Sequence, residues 1–275
     1  MKKLNGKFIV LILFGIALIY SCDNSLDPLD TDTGIFSIYG FLDLNEQTNQ
    51  IRVRNLNAPF TKKATENLDA RVLLQNLSQG TETILESYMV EHEGVFLHNF
   101  VYNNQVIPDN EYRLTVERSD GAAVDVTITT PTMPEPVAEP LNQNCFVPIE
   151  FSMEPINGGT VVVRFGLGPD EDDDPWGATQ ILTPNENQNP GKIAYTFTPH
   201  DLVISILPGN DPNRRCGQYL YTGNIYVSYI HYGPGFFEQI TNDTFDVMNT
   251  QRFGAVYYDT LAVPVDTTPV CPPDC

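Results

Sequence analysis

Short runs of β-branched and aromatic residues, separated by turn residues, recur along most of this 275-residue chain. Several runs alternate apolar and polar residues with a period of two, which is typical of strands with one buried face. In the first half the runs are Ile35–Phe41, Ile51–Arg54, Ala70–Leu74, Thr83–Tyr88, Val95–Phe100, Tyr112–Arg118 and Val124–Thr129. About seven strands in about 100 residues predict an immunoglobulin-like or transthyretin-like β-sandwich over residues 34–131.

The clearest local motif is a hairpin formed by the last two of these runs. Tyr112 and Leu114 share one face of its first strand, and Asp120-Gly121 supplies residues that tolerate a left-handed turn. The segment Ile107–Tyr112 just before this strand is similar to a tyrosine corner, in which a Tyr hydroxyl binds the backbone a few residues upstream. Both features favour the sandwich.

A proline-rich segment separates the two halves of the chain. Four prolines between Thr130 and Pro140 favour an extended, semi-rigid connection, so a linker is predicted over residues 132–143. A second β-rich domain follows over residues 144–262, with a Pro-rich tail over 263–275. Its strand-like runs are Ile149–Met153, Gly159–Phe165, Ile193–Phe197, Leu202–Ile206, Tyr219–Tyr221, Asn224–Tyr232 and Ala255–Tyr258, and Phe236–Met248 is where a short helix fits. The predicted fold class is all-β.

The amino terminus has the features of an export signal. Three lysines precede an apolar run over residues 8–20, and Ser21 and Cys22 follow it directly. At 1.5 Å per residue this run is about 20 Å long, short of the ~30 Å hydrocarbon core of a bilayer, which predicts a cleaved signal peptide over residues 1–21. Ile19–Cys22 resembles a bacterial lipobox, in which the thiol of Cys22 receives the lipid. The alternative is a plain secretory peptide with an incidental cysteine.

The charge of the chain excludes one class of function. There are 35 acidic and 15 basic residues, a net charge of −20, whereas a duplex nucleic-acid binder needs clustered cations. Cleavage of residues 1–21 removes three cations and no anions, so the mature chain has 12 cations against 35 anions, a net charge of −23. Residues 22–33 are polar and acidic, and are predicted to be a flexible tether between the lipid and the first strand.

Four cysteines remain once Cys22 is assigned to lipid: Cys145, Cys216, Cys271 and Cys275. We favour structural disulfides, with Cys145 paired to Cys216 and Cys271 paired to Cys275, although the sequence alone leaves several pairings open. Free thiols are one alternative. A metal or redox role is another, and the spacing supports it only weakly.

Motifs of catalysis are missing from the sequence. It has no nucleophile elbow, no zinc-protease helix motif, no phosphate-binding loop and no dinucleotide fingerprint. The four histidines, His92, His98, His200 and His231, are isolated from one another in the sequence. No catalytic residue and no organic cofactor is therefore predicted, and the chain is not expected to be an enzyme.

An acidic loop is the stronger candidate metal site. Residues 170–174 are five consecutive carboxylates, whose repulsion a calcium ion (Ca²⁺) would relieve if side chains and carbonyls closed around it. Asp170, Asp172 and Asp174 are the candidate ligands. The alternative is a solvated acidic loop between two strands.

The second half of the chain is rich in aromatic residues, and Trp176, Tyr229 and Tyr232 are the candidate platform for a ligand. Alternation along Tyr226–Tyr232 splits the run between two faces. Tyr226, Ser228, Ile230 and Tyr232 share one face, and Val227, Tyr229 and His231 share the other. About half of these rings are expected to belong to the core, and the alternatives for the rest are a protein interface or a carbohydrate platform.

The layout as a whole resembles a known family. A lipobox cysteine, an acidic tether, a sandwich that ends in a Tyr-x-Leu-x-Val strand, an Asp-Gly turn and a Thr-Pro exit, and a second β-rich domain are similar to Bacteroidota outer-membrane lipoproteins associated with TonB-dependent receptors. The best-matching stretch is Ile107–Pro131. Asp259–Leu261 and Asp266–Thr268 also resemble the O-glycosylation sequon of that phylum.

The resemblance implies a lipid-anchored outer-membrane protein, exposed on the cell surface or facing the periplasm. Its implied partner is a TonB-dependent β-barrel, in nutrient uptake or envelope assembly. The predicted function is thus a non-enzymatic accessory protein of the outer membrane. The alternative is a surface module that binds glycans or Ca²⁺.

Overall fold

A computed structural model of the chain describes residues 35–56, 67–92, 95–138, 147–168, 176–182, 191–198, 200–201, 224–241 and 251–263. In these ranges the backbone forms fifteen strands and one short helix, which confirms the all-β prediction. The first half contains β1 (Phe36–Asp43), β2 (Asn49–Asn55), β3 (Arg71–Asn76), β4 (Thr81–Ile84), β5 (Glu86–His92), β6 (Val95–Tyr102), β7 (Glu111–Glu117) and β8 (Ala123–Thr129). The second half contains β9 (Glu135–Ala138), β10 (Ile149–Glu154), β11 (Thr160–Gly168), β12 (Trp176–Leu182), β13 (Ile193–Phe197), β14 (Asn224–Tyr232), helix α1 (Phe236–Thr241) and β15 (Gln251–Val263).

The main sheet has eight strands in the order β12-β11-β14-β15-β1-β2-β6-β5. Within it β15 lies antiparallel to β14 and parallel to β1, so the last described strand is hydrogen-bonded to the first. The predicted domains over 34–131 and 144–262 therefore each contribute four strands to one sheet. This pairing joins the two halves of the chain at a place other than the proline-rich segment.

Two smaller sheets complete the fold. The second sheet has the order β4-β3-β7-β8, and the third sheet has the order β13-β10-β9. Apolar side chains from all three sheets form one core, with Ile38 from β1, Leu114 from β7, Phe151 from β10 and Phe253 from β15 among its fully buried members. Burying each such side chain contributes roughly 1.5–3 kcal/mol, so the inward face of the main sheet supplies much of the driving force for folding. We call its opposite face the outer face.

The β7–β8 hairpin and the tyrosine corner are confirmed. Gly121 adopts a φ of 89° in the turn, and its amide donates to the carbonyl of Arg118 at 2.9 Å. The buried Tyr112 accepts a hydrogen bond on its hydroxyl from the amide of Ile107, at 3.0 Å. The left-handed glycine fixes the turn, and the tyrosine pins the preceding loop to the first strand of the hairpin.

Two of the predicted segments differ in the structure. The run predicted as one strand over Thr83–Tyr88 is divided at the buried Leu85, because β4 pairs in the second sheet while β5 pairs in the main sheet. Within the predicted linker over 132–143, Glu135–Ala138 forms β9, in which Pro136 is the register partner of Met153. A proline cannot donate to a ladder, but β9 is an edge strand, where a missing N–H is tolerated.

The remaining segments are partly covered by the described residues. Helix α1 occupies the beginning of the predicted helix Phe236–Met248, and residues 242–250 lie outside the described residues. The predicted strands Leu202–Ile206 and Tyr219–Tyr221, the signal peptide, the tether and the tail beyond Val263 also lie outside them. Within the described ranges, no helix has both the length and the apolar character needed to span a membrane.

Candidate ligand-binding face

Two aromatic side chains project to solvent from the middle of the main sheet. Tyr39 is 57% exposed and Phe41 is 45% exposed, both on β1. Alternation places them on the outer face, while Phe36, Ile38 and Leu42 of the same strand are buried in the core. A neighbouring pair of exposed large aromatics is the informative exception to burial. We call Tyr39 and Phe41 the aromatic ridge.

An apolar hollow of about 300 Å³ lies on one side of the aromatic ridge. Its walls come from the ridge, α1, β14 and β15, and they include Ile230, Tyr232, Phe236, Ile240, Val256 and Tyr258. The rings of Phe41 and Phe236 are 6.4 Å apart, and those of Tyr232 and Phe236 are 6.2 Å apart. Phe236 packs directly on Gly254, where an added Cβ would overlap the ring. The glycine therefore allows α1 to lie close to β15.

A polar hollow of about 350 Å³ lies on the other side of the aromatic ridge, against β2 and β6. Its polar lining residues are Asp43, Glu46, Thr48, Asn49, Gln50, Arg52 and Asn99. Several of these side chains hold one another in place. Arg52 donates from Nε to Oδ1 of Asn99 at 3.5 Å, and Asn99 donates from Nδ2 to Oε1 of Gln50 at 3.3 Å. The wall of this hollow is thus a hydrogen-bonded network.

The turn between β1 and β2 is held by Asn49, which is buried although it is polar. The backbone amide of Asp43 donates to Oδ1 of Asn49 at 2.6 Å, and Nδ2 of Asn49 donates to the carbonyl of Asp43 at 3.3 Å. These bonds satisfy the buried amide. They also hold the backbone of Asp43, a residue that borders both hollows.

Charged groups are separated along β1. Tyr39 pairs in register with Arg252 of β15 on one side and with Arg52 of β2 on the other. At the other end of the strand, partial burial raises the pKa of Asp43 above its usual range, and nearby Glu46 adds to this effect. The charges of Asp43 and Glu46 also help to raise the pKa of Tyr258. The outer face therefore has a cationic end at Tyr39 and an anionic end at Asp43.

The structure places the predicted platform residues in different environments. Tyr232 lines the apolar hollow, whereas Tyr229 is 1% exposed and lies in the core. Its hydroxyl donates to the carbonyl of Pro134 at 3.4 Å, and desolvation raises its pKa. The alternation of β14 turns Tyr229 inward, so its assignment to a ligand platform is corrected. Trp176 begins β12, an edge strand of the main sheet, and its side chain lies outside the described residues.

Other predicted site residues lie outside the described residues. They are the lipidation site Cys22, the disulfide candidates Cys145, Cys216, Cys271 and Cys275, and the calcium candidates Asp170, Asp172 and Asp174. Within the part of the chain that the structure describes, no three His, Cys, Asp or Glu side chains come together in a way that could hold a metal ion.

His231 is buried on the core side of β14, away from both hollows. Its Nδ1 lies 3.0 Å from the carbonyl oxygen of Thr132, and its Nε2 lies 3.2 Å from that of Gly158. Burial lowers its pKa, although the two carbonyls act in the opposite direction. His231 thus ties β14 to the proline-rich segment and to the turn before β11, which is a structural role.

The sequence predictions missed the aromatic ridge. The signal that could have found it is the run Ile35–Phe41, which carries apolar or aromatic residues at both its odd and its even positions. A strand with one solvated face does not need such a pattern. Arg52 and Arg252 could not have been brought together from the sequence, because they lie on strands separated by about 200 residues.

Comparisons with known proteins identify no family. No protein-family model matches the chain, and no curated protein sequence matches it. Among solved structures, a pullulanase from Anoxybacillus sp. LM18-11 is 13% identical over 72% of this chain and 24% of that chain, with a TM-score of 0.24. The same enzyme complexed with maltotriose is 12% identical over 71% of this chain and 24% of that chain, with a TM-score of 0.25.

A tetra-tandem repeat from the extending region of a large adhesion protein is also similar, with 10% identity over 84% of this chain and 49% of that chain and a TM-score of 0.24. The chain spans about a quarter of the pullulanase chain and about half of the adhesion-protein chain. Similarities this distant carry no argument about function.

Proposed function

We propose that this chain is a lipid-anchored, non-enzymatic accessory protein of the outer membrane that binds a saccharide on the outer face of its main sheet. The observation that carries the binding proposal is the aromatic ridge, with a hollow on each side. The anchor and the partner, a TonB-dependent β-barrel in nutrient uptake, come from the lipobox-like segment and the family resemblance.

The chemistry of the outer face suits a sugar. A sugar ring has apolar C–H faces, which stack on exposed aromatic rings, and a rim of hydroxyl groups, which need donors and acceptors. Tyr39 and Phe41 supply the rings. The polar hollow supplies donors from Arg52 and Asn99 and an acceptor from Asp43. Ligand sites commonly combine an apolar surface with a few placed polar groups, in hollows that begin at about 300 Å³.

Binding to an oligosaccharide panel tests the proposal, with the full lipidated protein in detergent micelles. We expect Tyr39→Ala to weaken binding about fivefold, because stacking on one ring contributes roughly 1 kcal/mol. Tyr88→Ala is the matched control. Tyr88 is a similarly exposed tyrosine, at 54%, on β5 of the same sheet, and it lines neither hollow. Its substitution should leave binding unchanged.

Three results would contradict the saccharide proposal. The first is that the folded wild-type protein binds none of the panel, and the second is an equal loss in Tyr39→Ala and Tyr88→Ala. The third is that the immobilised wild-type protein retains a β-barrel protein from solubilised outer membranes while Tyr39→Ala does not. That result would assign the outer face to a protein partner.

The anchor has its own test. Cys22→Ala removes the thiol that a lipobox would modify, and we expect the variant to leave the membrane fraction for the soluble fraction. Ser21→Ala, which keeps a small residue before Cys22, is a matched control and should stay with the membrane. Persistence of the Cys22→Ala chain in membranes after loss of residues 1–21 would rule out lipid as the anchor.

A further inference from the structure

We infer that the saccharide unit bound at Tyr39 is acidic, and that arginines on both sides of the ring hold its carboxylate or sulfate. The inference rests on the proposed function, and it names the class of ligand for that same face.

The register of the main sheet carries the argument. Arg252, Tyr39 and Arg52 form one row across β15, β1 and β2, and Arg54 of β2 pairs with Ser37 in the next row. Neighbouring strands are about 4.8 Å apart, so these side chains rise from adjacent positions on one face. Arg252 borders the apolar hollow and Arg52 borders the polar hollow. Tyr39 thus has an arginine on the neighbouring strand at each side.

This row contrasts with the charge of the rest of the chain. The sequence has 35 acidic residues against 15 basic ones, yet three of its arginines lie in two adjacent rows around Tyr39. The described outward neighbours of Tyr39 and Arg52 include Ser37, Phe41, Gln50 and Asn99, and these four side chains are neutral. A cluster of cationic side chains in an otherwise acidic chain favours an anionic ligand at that place.

Arginine is also suited to the group that it would bind. Its planar guanidinium offers two parallel N–H donors, which match the oxygens of a carboxylate or a sulfate. The bond from Nε of Arg52 to Asn99 holds that guanidinium at the wall of the polar hollow. A side chain held in this way loses less conformational entropy when it binds.

The anionic end of β1 restricts the ligand further. Asp43 lies four residues beyond Tyr39, about 13 Å along the strand, and Glu46 follows in the turn. Their carboxylates repel a second anion but accept hydrogen bonds from hydroxyl groups. The ligand that fits both ends therefore has an acidic unit at Tyr39 and a neutral unit towards Asp43, rather than a charge on every unit.

Titration of three hexasaccharides against the full lipidated protein in detergent tests whether the bound unit must be acidic. Hyaluronan alternates carboxylated and neutral units and κ-carrageenan alternates sulfated and neutral units. The neutral probe is the fully N-acetylated chitohexaose, called chitohexaose below. At about 0.05 M salt, we expect at least one acidic hexasaccharide to bind about tenfold more tightly than chitohexaose, and about 0.5 M salt should abolish most of that difference because exposed charges are screened. Which acidic probe binds distinguishes carboxylate from sulfate.

Variants of the arginines test which side chains hold the acidic group. We expect Arg52→Gln and Arg252→Gln each to weaken binding of the acidic probe about fivefold, with little change for chitohexaose. Arg52→Lys keeps the charge but loses the planar fork, so its affinity should lie between those of wild type and Arg52→Gln. Arg164→Gln is the control, because Arg164 is an exposed arginine on β11 of the same sheet and lines neither hollow.

The possible failures are distinguishable. If chitohexaose binds as tightly as the acidic probes, and Tyr39→Ala weakens it, the acidic ligand is excluded while the saccharide proposal stands. An equal loss of affinity in Arg164→Gln would also overturn the inference, since it would show a general charge effect. If no saccharide binds to the folded wild-type protein, both proposals fail. Thermal melting of each variant shows whether it is folded.

Discussion

The two faces of β1 carry similar side chains in opposite environments. Phe36 and Ile38 are fully buried under the smaller sheets, whereas Tyr39 and Phe41 stand on the outer face. Ring type alone does not determine this difference, because large aromatic rings lie on both faces. What covers each face determines it, and among the described elements α1 packs on the outer face at Gly254 and beside Phe41. The inward face is packed in the core, and the outer face keeps two aromatic rings exposed to solvent.

The largest expected effect compares one residue type on the two faces. Phe36→Ala removes a ring that is 0% exposed and leaves a cavity, so the free energy of unfolding should fall by about 3–5 kcal/mol. Phe41→Ala removes the same atoms from a side chain that is 45% exposed, and it should cost about 1 kcal/mol or less.

Urea denaturation of both variants measures the difference, and the slope m should be unchanged if both unfold in two states. The two phenylalanines lie on one strand, so they share its backbone conformation and differ in burial. Similar losses in the two variants would show that the outer face also stabilises the fold, and the argument for a ligand on the aromatic ridge would weaken.

The next effect concerns the part of the outer face that α1 does cover. Gly254→Ala places a methyl group where the ring of Phe236 lies, and it should destabilise the protein by about 1–3 kcal/mol through overpacking. The double variant Gly254→Ala/Phe236→Ala removes the overlap and is the control. We expect a coupling energy of at least about 0.5 kcal/mol between the two sites, since residues in contact are not additive. Additive losses would mean that α1 does not pack on Gly254.

Much of the fold could be predicted because its signals are local. The β7–β8 hairpin follows from alternation and an Asp-Gly turn, and the tyrosine corner follows from the spacing of Ile107 and Tyr112. Alternation also assigned Tyr229 and His231 to a different face of β14 from Tyr232, and the structure confirms it. Each of these predictions uses residues within one strand or one turn.

The features that could not be predicted depend on distant residues. Nothing near β1 indicates that β15 is its parallel partner, because strand order is decided by packing of the whole chain. The same pairing places Arg252 beside Tyr39, so the candidate site could not be assembled without it. The division of the Thr83–Tyr88 run at Leu85 could not be predicted for the same reason. Only the strand pairing shows that the first part of the run belongs to the second sheet and the rest to the main sheet.

The smallest expected effect on the free energy of unfolding comes from His231, which precedes Tyr232 but lies on the opposite face of β14. Tyr232 lines the apolar hollow, while His231 is buried and its pKa is lowered by desolvation. The folded state thus holds His231 neutral at a pH where the unfolded chain, with an ordinary pKa of about 6.5, takes up a proton. The free energy of unfolding therefore has its full value above pH ~6.5. It decreases as the pH falls below that value, by at most about 1 kcal/mol over the first pH unit.

Urea denaturation at several pH values between about 8 and 5.5 measures this slope, which should be smaller in His231→Gln than in wild type. His98→Gln is the control, because burial also lowers the pKa of His98 but its ring is more exposed. An unchanged slope in His231→Gln would assign the pH dependence to another group. A wild-type stability that rises as the pH falls would show that the carbonyls of Thr132 and Gly158, each within 3.2 Å of a ring nitrogen, outweigh desolvation and hold His231 protonated in the core.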